Sequence, residues 1–239
     1  MSDGRRFGTV AVLMGGFSSE REISLQSGRA VSGALREAGY RVREVDVRDR
    51  DFVADDDVEA AFLALHGRYG EDGGVQAELE RRGMPYTGSG VESSRRSIDK
   101  LLTYETFRKA GVPVPEYVVL REEAPCPLPF PAVVKPPRQG SSIGVFIVRA
   151  AEDWPDALRA SLEHDGEVLV EPYIAGRELT VGVVGGDTLP VVEIRPRQPF
   201  YDYHAKYESD DTEYLVPAPL GEDEAKCCGD LSGLAFRSL

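Results

Sequence analysis

Hydrophobic spacing along this chain switches repeatedly between a strand-like and a helix-like period. Residues 9–14 form one continuous apolar run, the pattern of a strand buried on both faces. Gly15-Gly16-Phe17-Ser18 then reads as a turn. Beyond it Ser27, Val31, Ala34, Leu35 and Ala38 fall on one helical face, with Ser19 and Glu22 as a candidate capping box and Gly39 as the stop. Residues 41–47 alternate like a second strand, so the first fifty or so residues predict a βαβ unit with a Gly-rich turn after its first strand. Residues 61–65 predict another buried strand, followed by the loop His66-Gly67-Arg68-Tyr69-Gly70-Glu71-Asp72-Gly73-Gly74, a short helix over 75–82 and a loop over 85–90. This pattern builds an open α/β sheet, whose ligands sit outside the carboxyl ends of the strands. Gly15-Gly16 and His66-Gly67 both fall at that edge and can face one cleft.

The second half follows other rules. The spacing predicts a helix over 97–110 that carries Lys100 and is closed by Gly111, then an extended segment entered through Pro113 and Pro115. After a Pro-rich stretch, the apolar run 131–134 leads to Lys135, a loop with two serines and two glycines, and a second apolar run over 145–148. Strand, Gly/Ser turn and strand predict a hairpin with a mobile tip. Its amides and hydroxyls suit a phosphate and Lys135 supplies a point charge; an ordinary Gly/Ser hairpin turn is the plain alternative. No Gly-x-x-x-x-Gly-Lys-Ser/Thr motif occurs in the chain. A helix over 152–163, a strand over 168–170 ending at Glu171, a hairpin over 178–194 around Gly185-Gly186-Asp187, a polar aromatic-rich loop over 200–211 and a helix from 222 to the last residue complete the pattern.

Composition narrows the partners. The chain has 239 residues, room for one large or two to three small domains, and its 41% hydrophobic and 29% charged content is that of a soluble globular protein. A net charge of −13 argues against sequence-independent nucleic-acid binding and against an anionic membrane surface. An anionic substrate would need a local basic pocket, so a few well-placed lysines matter more than the total. Cys126, Cys227 and Cys228 are odd in number and lack Cys-x-x-Cys spacing, which points away from a disulfide frame or zinc knuckle and fits a reducing cytoplasm. Arg5 and Arg6 precede an apolar run, but residues 9–14 are too few for a signal sequence, nothing approaches a membrane span of about 20 apolar residues, and there are no repeats.

Six motifs now stand in one order: Gly15-Gly16-x-Ser18-x-Glu20-Arg21-Glu22-Ile23-Ser24-Leu25, His66-Gly67-x-x-Gly70-Glu71-Asp72-Gly73, Tyr86-Thr87-Gly88-Ser89-Gly90, Asp99-Lys100, the stretch from Lys135 to Gly144, and Tyr201-Asp202-Tyr203-x-Ala205-Lys206-Tyr207. Together they resemble the D-alanine–D-alanine ligases, ATP-grasp enzymes, over residues 8 to about 215. The resemblance implies an α/β fold of ATP-grasp architecture: an N-terminal open parallel-sheet domain over 1–88 with the first D-alanine subsite, a small central α+β domain over 89–170 with the phosphate loop, and an incomplete C-terminal ATP-grasp domain over 171–239. It implies that ATP phosphorylates the carboxylate of one D-alanine and that the amine of a second displaces phosphate, for peptidoglycan synthesis in the cytoplasm. It also suggests a homodimer.

The resemblance also implies residue roles. Glu20 would hold the ammonium of the first D-alanine, with Ile23 and His66 lining its subsite; a solvated N-terminal glutamate and a structural histidine are the plain alternatives. Glu71 and Asp72 look like metal ligands, but as an acidic turn they would only shape the cleft. Lys100 and Lys135 would bind the ATP phosphates, with Ser141 and Ser142 closing over them. Glu171, Tyr173 and Ile174 would form the adenine-binding hinge, and Glu178 would reach the ribose. Lys206 would contact the γ-phosphate and the substrate, while Tyr207 would tie the lid toward Glu20 and Ser141 and exclude water. Tyr207 favours an amine nucleophile over the hydroxy acid used by D-alanine–D-lactate ligases. His204 and Pro137 are small departures from the family pattern.

The large departure is at the end. Relatives continue into a segment with Asp-x-Arg and Glu-x-Asn that binds two Mg²⁺ or Mn²⁺ ions and the second D-alanine, and this chain contains no asparagine. No metal ligand is therefore expected within it, and the 239 residues by themselves are expected to be essentially inactive. A non-catalytic nucleotide-binding protein of the same fold is the alternative, and a Rossmann dehydrogenase is disfavoured because no Gly-x-Gly-x-x-Gly follows the first strand.

Overall fold

Strand β1 (Thr9–Met14) is buried at every position, and the first unit is built around it. The computed structural model describes residues 7–50, 52, 56–196 and 212–239. The chain divides into two compact units, Met1–Ile98 and Asp99–Leu239.

In the first unit β1 lies between β2 (Arg41–Asp46) and β3 (Ala60–Leu63), both parallel to it. The parallel pairing explains why β1 reads as a run rather than an alternation: both faces are covered. Ala11 and Leu13 point into one core with Val47, Leu65, Val75 and Leu79. Val12 and Met14 point into the other, under helix α1 (Arg21–Glu37). Helices α2 (Gly74–Arg81) and α3 (Val91–Ile98) complete the unit.

Several boundaries differ from expectation. The buried stripe of α1 is Ser24, Gly28 and Ser32, and Ala34 and Ala38 are exposed. The reason is closeness of approach: a Cβ on Gly28 would lie 2.5 Å from Met14 Cβ, so small residues mark the seam while Leu25, Val31 and Leu35 flank it. No side chain caps α1, so the Ser19–Glu22 box is not formed; Ser18 Oγ instead accepts the Glu20 N–H at 3.2 Å. Strand β3 begins one residue earlier and stops at Leu63. Tyr86, in the expected loop, makes a parallel bridge to Ala61.

The predicted helix over 97–110 is two helices. Asp99, in extended conformation, caps α4 (Lys100–Ala110) by accepting from the amides of Leu101 at 2.9 Å and Leu102 at 3.4 Å. A cap residue needs non-helical backbone, so the break falls at Asp99 and Lys100 becomes the first residue of the new helix.

The second unit carries an antiparallel sheet of β4 (Val118–Leu120), β5 (Ala132–Lys135), β6 (Phe146–Val148) and β7 (Val168–Pro172), in the order β4-β7-β5-β6. The expected hairpin around the Lys135 loop is β5–β6. Alternation on β5 separates its roles: Ala132 and Val134 pack under helix α5 (Trp154–Asp165), while Val133 and Lys135 face the other side. The expected hairpin over 178–194 is interrupted. Strands β8 (Glu178–Thr180), β11 (Val192–Arg195) and β12 (Glu213–Leu215) form one antiparallel sheet, and β9 (Val183–Val184) with β10 (Asp187–Thr188) forms a separate ribbon. Helix α6 (Glu222–Ser238) packs on α4 and on this ribbon. No helix among the described residues is long and apolar enough to cross a membrane.

Leu158 is fully buried beside Trp154, the chain's one tryptophan. Leu158→Ala is expected to cost the second unit about 3 kcal/mol through lost burial and the cavity left behind. Urea unfolding followed by tryptophan fluorescence measures this directly, and a loss below about 1 kcal/mol would contradict the packing described.

Candidate active site

At the carboxyl end of the parallel sheet, three side chains at and just before the start of α1 organise two loops. Ser24 Oγ accepts the Gly15 N–H at 2.9 Å and donates to the Ala64 carbonyl at 2.6 Å. Arg21 donates to the Gly16 carbonyl at 2.8 Å and forms a two-pronged pair with Asp46 at 2.8 and 2.7 Å. That pair, with Arg48 adding to it, holds the Asp46 carboxyl down at about 2. Ser18 Oγ donates to the His66 carbonyl at 2.8 Å, so the Gly15-Gly16 and His66-Gly67 loops are joined as their sheet-edge positions imply.

Glu20 sits at the N-cap position of α1 and is only 5% exposed. Helix N-terminal amides favour its charge there. Gly67 is needed beside it: its φ is +63°, and a Cβ would lie 2.5 Å from Glu20 Oε2. The His66 ring lies 3.3 Å from Ser27 Oγ through Nε2 and 3.6 Å from Glu71 Oε1 through Nδ1. The Glu71 carboxylate raises the His66 pKa above its ordinary value, and burial opposes it. Glu71 also accepts the Gly67 N–H at 2.9 Å, and Asp72 accepts the amides of Tyr69 and Gly74, each at 2.9 Å. Both acids therefore fasten their own loop. A cavity of about 620 Å³ opens beside His66, between Leu65, Glu71, Gln76, Ser94 and Ile98. Ile23 is half-buried on α1.

In the second unit, strand pairing brings Lys135 to Glu171. Val133 lies opposite Glu171, and Lys135 is two residues on, on the same face. Lys135 Nζ donates to Glu171 Oε2 at 2.7 Å and to the Tyr104 hydroxyl at 3.2 Å, and the pair is largely out of solvent, with side chains 16% and 6% exposed. Burial, reinforced by the Glu171 charge, pushes the Tyr104 hydroxyl well above the usual phenol range. Glu171 Oε1 is buried with no hydrogen-bond partner among the described residues. Among the described residues no carboxylate pairs with the Lys100 ammonium group; Nζ donates to the carbonyls of Gln139 at 2.7 Å and Pro137 at 3.3 Å. Burial, then the Lys135 charge, lowers Lys100 to about 8.

Beyond Lys135 the chain turns through Ser141 and Ser142, both left-handed at φ +51° and +61°, a strained conformation for residues other than glycine. Next to Lys135 lies a cavity of about 340 Å³ with apolar walls at Val133, Val145 and Ile147 and a rim of Glu171, Tyr173 and Glu178. Ile174 also lines it. The Tyr173 N–H is engaged by the Pro131 carbonyl at 3.1 Å, so it is not a donor to a ligand. Arg149 stacks over the Tyr173 ring at 5.3 Å.

Thus Lys100, Lys135, Ser141, Ser142, Glu171, Tyr173, Ile174 and Glu178 share the second unit, and Glu20, Ile23 and His66 share the first. Lys206 and Tyr207 lie outside the described residues. Among the described residues no group of three or more His, Cys, Asp or Glu is placed to hold a metal ion. Tyr104, Arg138 and Asp165 escaped the sequence. Tyr104 was within reach, being one helical turn from Lys100, whereas nothing in the sequence links Asp165 to a loop 26 residues earlier.

Comparison with known proteins bears on this arrangement. Residues 48–89 match the family model described as D-ala D-ala ligase N-terminus, and residues 102–239 match that of the D-ala D-ala ligase C-terminus. A D-alanine–D-alanine ligase of Methylacidiphilum infernorum is 45% identical over 230 residues, covering 96% of this chain and 76% of the relative. The crystal structure of the D-alanine–D-alanine ligase from Bacillus anthracis superposes with a TM-score of 0.83 at 33% identity, covering 97% of this chain and 78% of that one. The same enzyme complexed with ATP gives a TM-score of 0.80 at 32% identity, covering 98% and 78%. With its open parallel sheet, its four-stranded antiparallel sheet and its match to both family models, this chain belongs to the D-alanine–D-alanine ligase family of ATP-grasp enzymes.

Proposed function

We propose that this protein uses ATP to join two D-alanine molecules into D-alanyl-D-alanine for peptidoglycan synthesis. The γ-phosphoryl group of ATP passes to the carboxylate of the first D-alanine, giving an acyl phosphate and ADP. The amine of the second D-alanine attacks the acyl carbon; phosphate leaves with the C–O bonding pair, and the nitrogen loses a proton. The observation that carries this assignment is Lys135, which lines the cavity together with Glu171 and lies close enough to Lys100 for the two charges to interact.

The residues support distinct parts of that reaction. The apolar walls of the 340 Å³ cavity suit a purine face, and the unpartnered Glu171 Oε1 suits an exocyclic amino group. Glu178 would take the ribose hydroxyls. Lys100 and Lys135 would neutralise the phosphates, with Ser141 and Ser142 over them. Glu20, Ile23 and His66 would form the first D-alanine subsite, Glu20 receiving the ammonium group. Lys206 and Tyr207 would act as a lid that keeps water from the acyl phosphate. Mg²⁺ or Mn²⁺ would accompany the nucleotide; the described residues form no shell for it, and no step here runs through it. We place the reaction in the cytoplasm, take a homodimer as the working assembly, and divide the second unit near residue 170 into a phosphate-loop part and a hinge-following part.

In the complete gene product, phosphate release from ATP should require D-alanine. Equal release with L-alanine and none with D-alanine would reject the assignment. In the first subsite, His66 should titrate above the ordinary histidine value of about 6.5 when followed by NMR, and Glu71→Gln should bring it below that value because burial then dominates. With the folded pKa raised, the His66–Glu71 pair stabilises fully below the unfolded pKa and loses that contribution as pH rises through the folded one. A His66 titration unaffected by Glu71→Gln would show that the pair is not formed.

A further inference from the structure

The loop bearing Ser141 and Ser142 is fastened along its entering limb. Asp165, the last residue of α5, accepts the Arg138 N–H through Oδ2 at 2.7 Å and the Gln139 side-chain amide through Oδ1 at 3.0 Å. Arg138 in turn donates to Glu167 at 2.8 Å, to the helix-capping Asp99 at 3.3 Å and to the Asp165 carbonyl at 3.4 Å. The two carbonyls that receive the Lys100 ammonium belong to Pro137 and Gln139, the residues on either side of Arg138. The Lys100 backbone N–H also donates to Pro137, at 3.0 Å. A carboxylate at the C-terminal end of a helix has the wrong sign for the helix dipole. Its place there is explained by the amides it collects from the loop.

We propose that Asp165 is a positioning residue for the nucleotide phosphates, setting the Pro137 and Gln139 carbonyls that aim Lys100. The inference rests on the assignment of this site to ATP. Electrostatics point the same way. Lys100 is faced by Lys135 from β5, which disfavours its charge, and by Asp165 from α5, Glu171 from β7 and the adjacent Asp99, which favour it. Arg138 adds a further positive charge on the loop. Removing the Asp165 charge would therefore make Lys100 harder to protonate as well as loosening its carbonyl partners.

Binding of the non-hydrolysable analogue adenylyl imidodiphosphate, with Mg²⁺, to the complete chain tests this by titration calorimetry from pH 6.5 to 9. Wild-type affinity should fall as Lys100 deprotonates, above about pH 8. Asp165→Asn should weaken binding about tenfold at neutral pH, the effect of losing one hydrogen bond to a charged group, and should move that fall to lower pH. Gln139→Ala, which keeps the Asp165 charge, should weaken binding without moving the midpoint. A purely structural role for Asp165 would lower thermal stability but leave the pH midpoint in place. Wild-type binding matched by Asp165→Asn in both affinity and midpoint would overturn the inference. If Asp165→Asn does not fold, unchanged affinity in Gln139→Ala overturns it instead, and reduced affinity supports it. Failure of the wild-type protein to bind the analogue at any pH would remove the nucleotide assignment, and this inference with it.

Discussion

Lys100 sits in a half-buried corner of the second unit, near enough to Lys135 for that charge to depress its pKa. Burial and the repulsion from Lys135 both work against the charged form of Lys100. The two lysines are supported by different means. Lys135 is paired with the buried Glu171, and losing either partner would strand a charge in low dielectric, a cost of about 3–5 kcal/mol. Lys100 is held by carbonyl dipoles, with carboxylates only in its surroundings. It is thus the cation whose charge an arriving phosphate would strengthen most, since a new anion raises a depressed lysine pKa.

The support of these two lysines orders the fold of the second unit. The alternation of β5 has to put apolar residues under α5 and Lys135 on the cavity side, and the antiparallel register of β5 with β7 has to bring Glu171 to it. Helix α4 has to begin at Lys100, which the Asp99 cap enforces. The strained Ser141–Ser142 turn follows a limb already fixed by Arg138 and Asp165, so tightly bonded neighbours support the unfavourable backbone.

The first unit presents the opposite charge. Glu20 is nearly buried at the beginning of α1, where helix amides favour an anion, and the loop opposite it must contain glycine. Ser18, just before α1, and Arg21 and Ser24 in its first turn fix both loops at the sheet edge. In the proposed first-substrate subsite, an ammonium group would meet a Glu20 side chain already largely desolvated.

By itself the sequence determined the strands that are buried on both faces, the Lys135 hairpin, the edge positions of Gly15-Gly16 and His66-Gly67, and the six ordered motifs from which the family was legible. These are local patterns, set by side-chain period and by backbone needs that few residues can meet. Only the tertiary structure decided where α1 touches β1, because close approach selects Ser24, Gly28 and Ser32 over the larger apolar residues that periodicity favours. It also decided the break at Asp99 and the partners of Lys100 and Lys135. Those depend on strand register and on contacts such as Asp165 with Gln139, made between residues far apart in the chain, where no spacing rule operates.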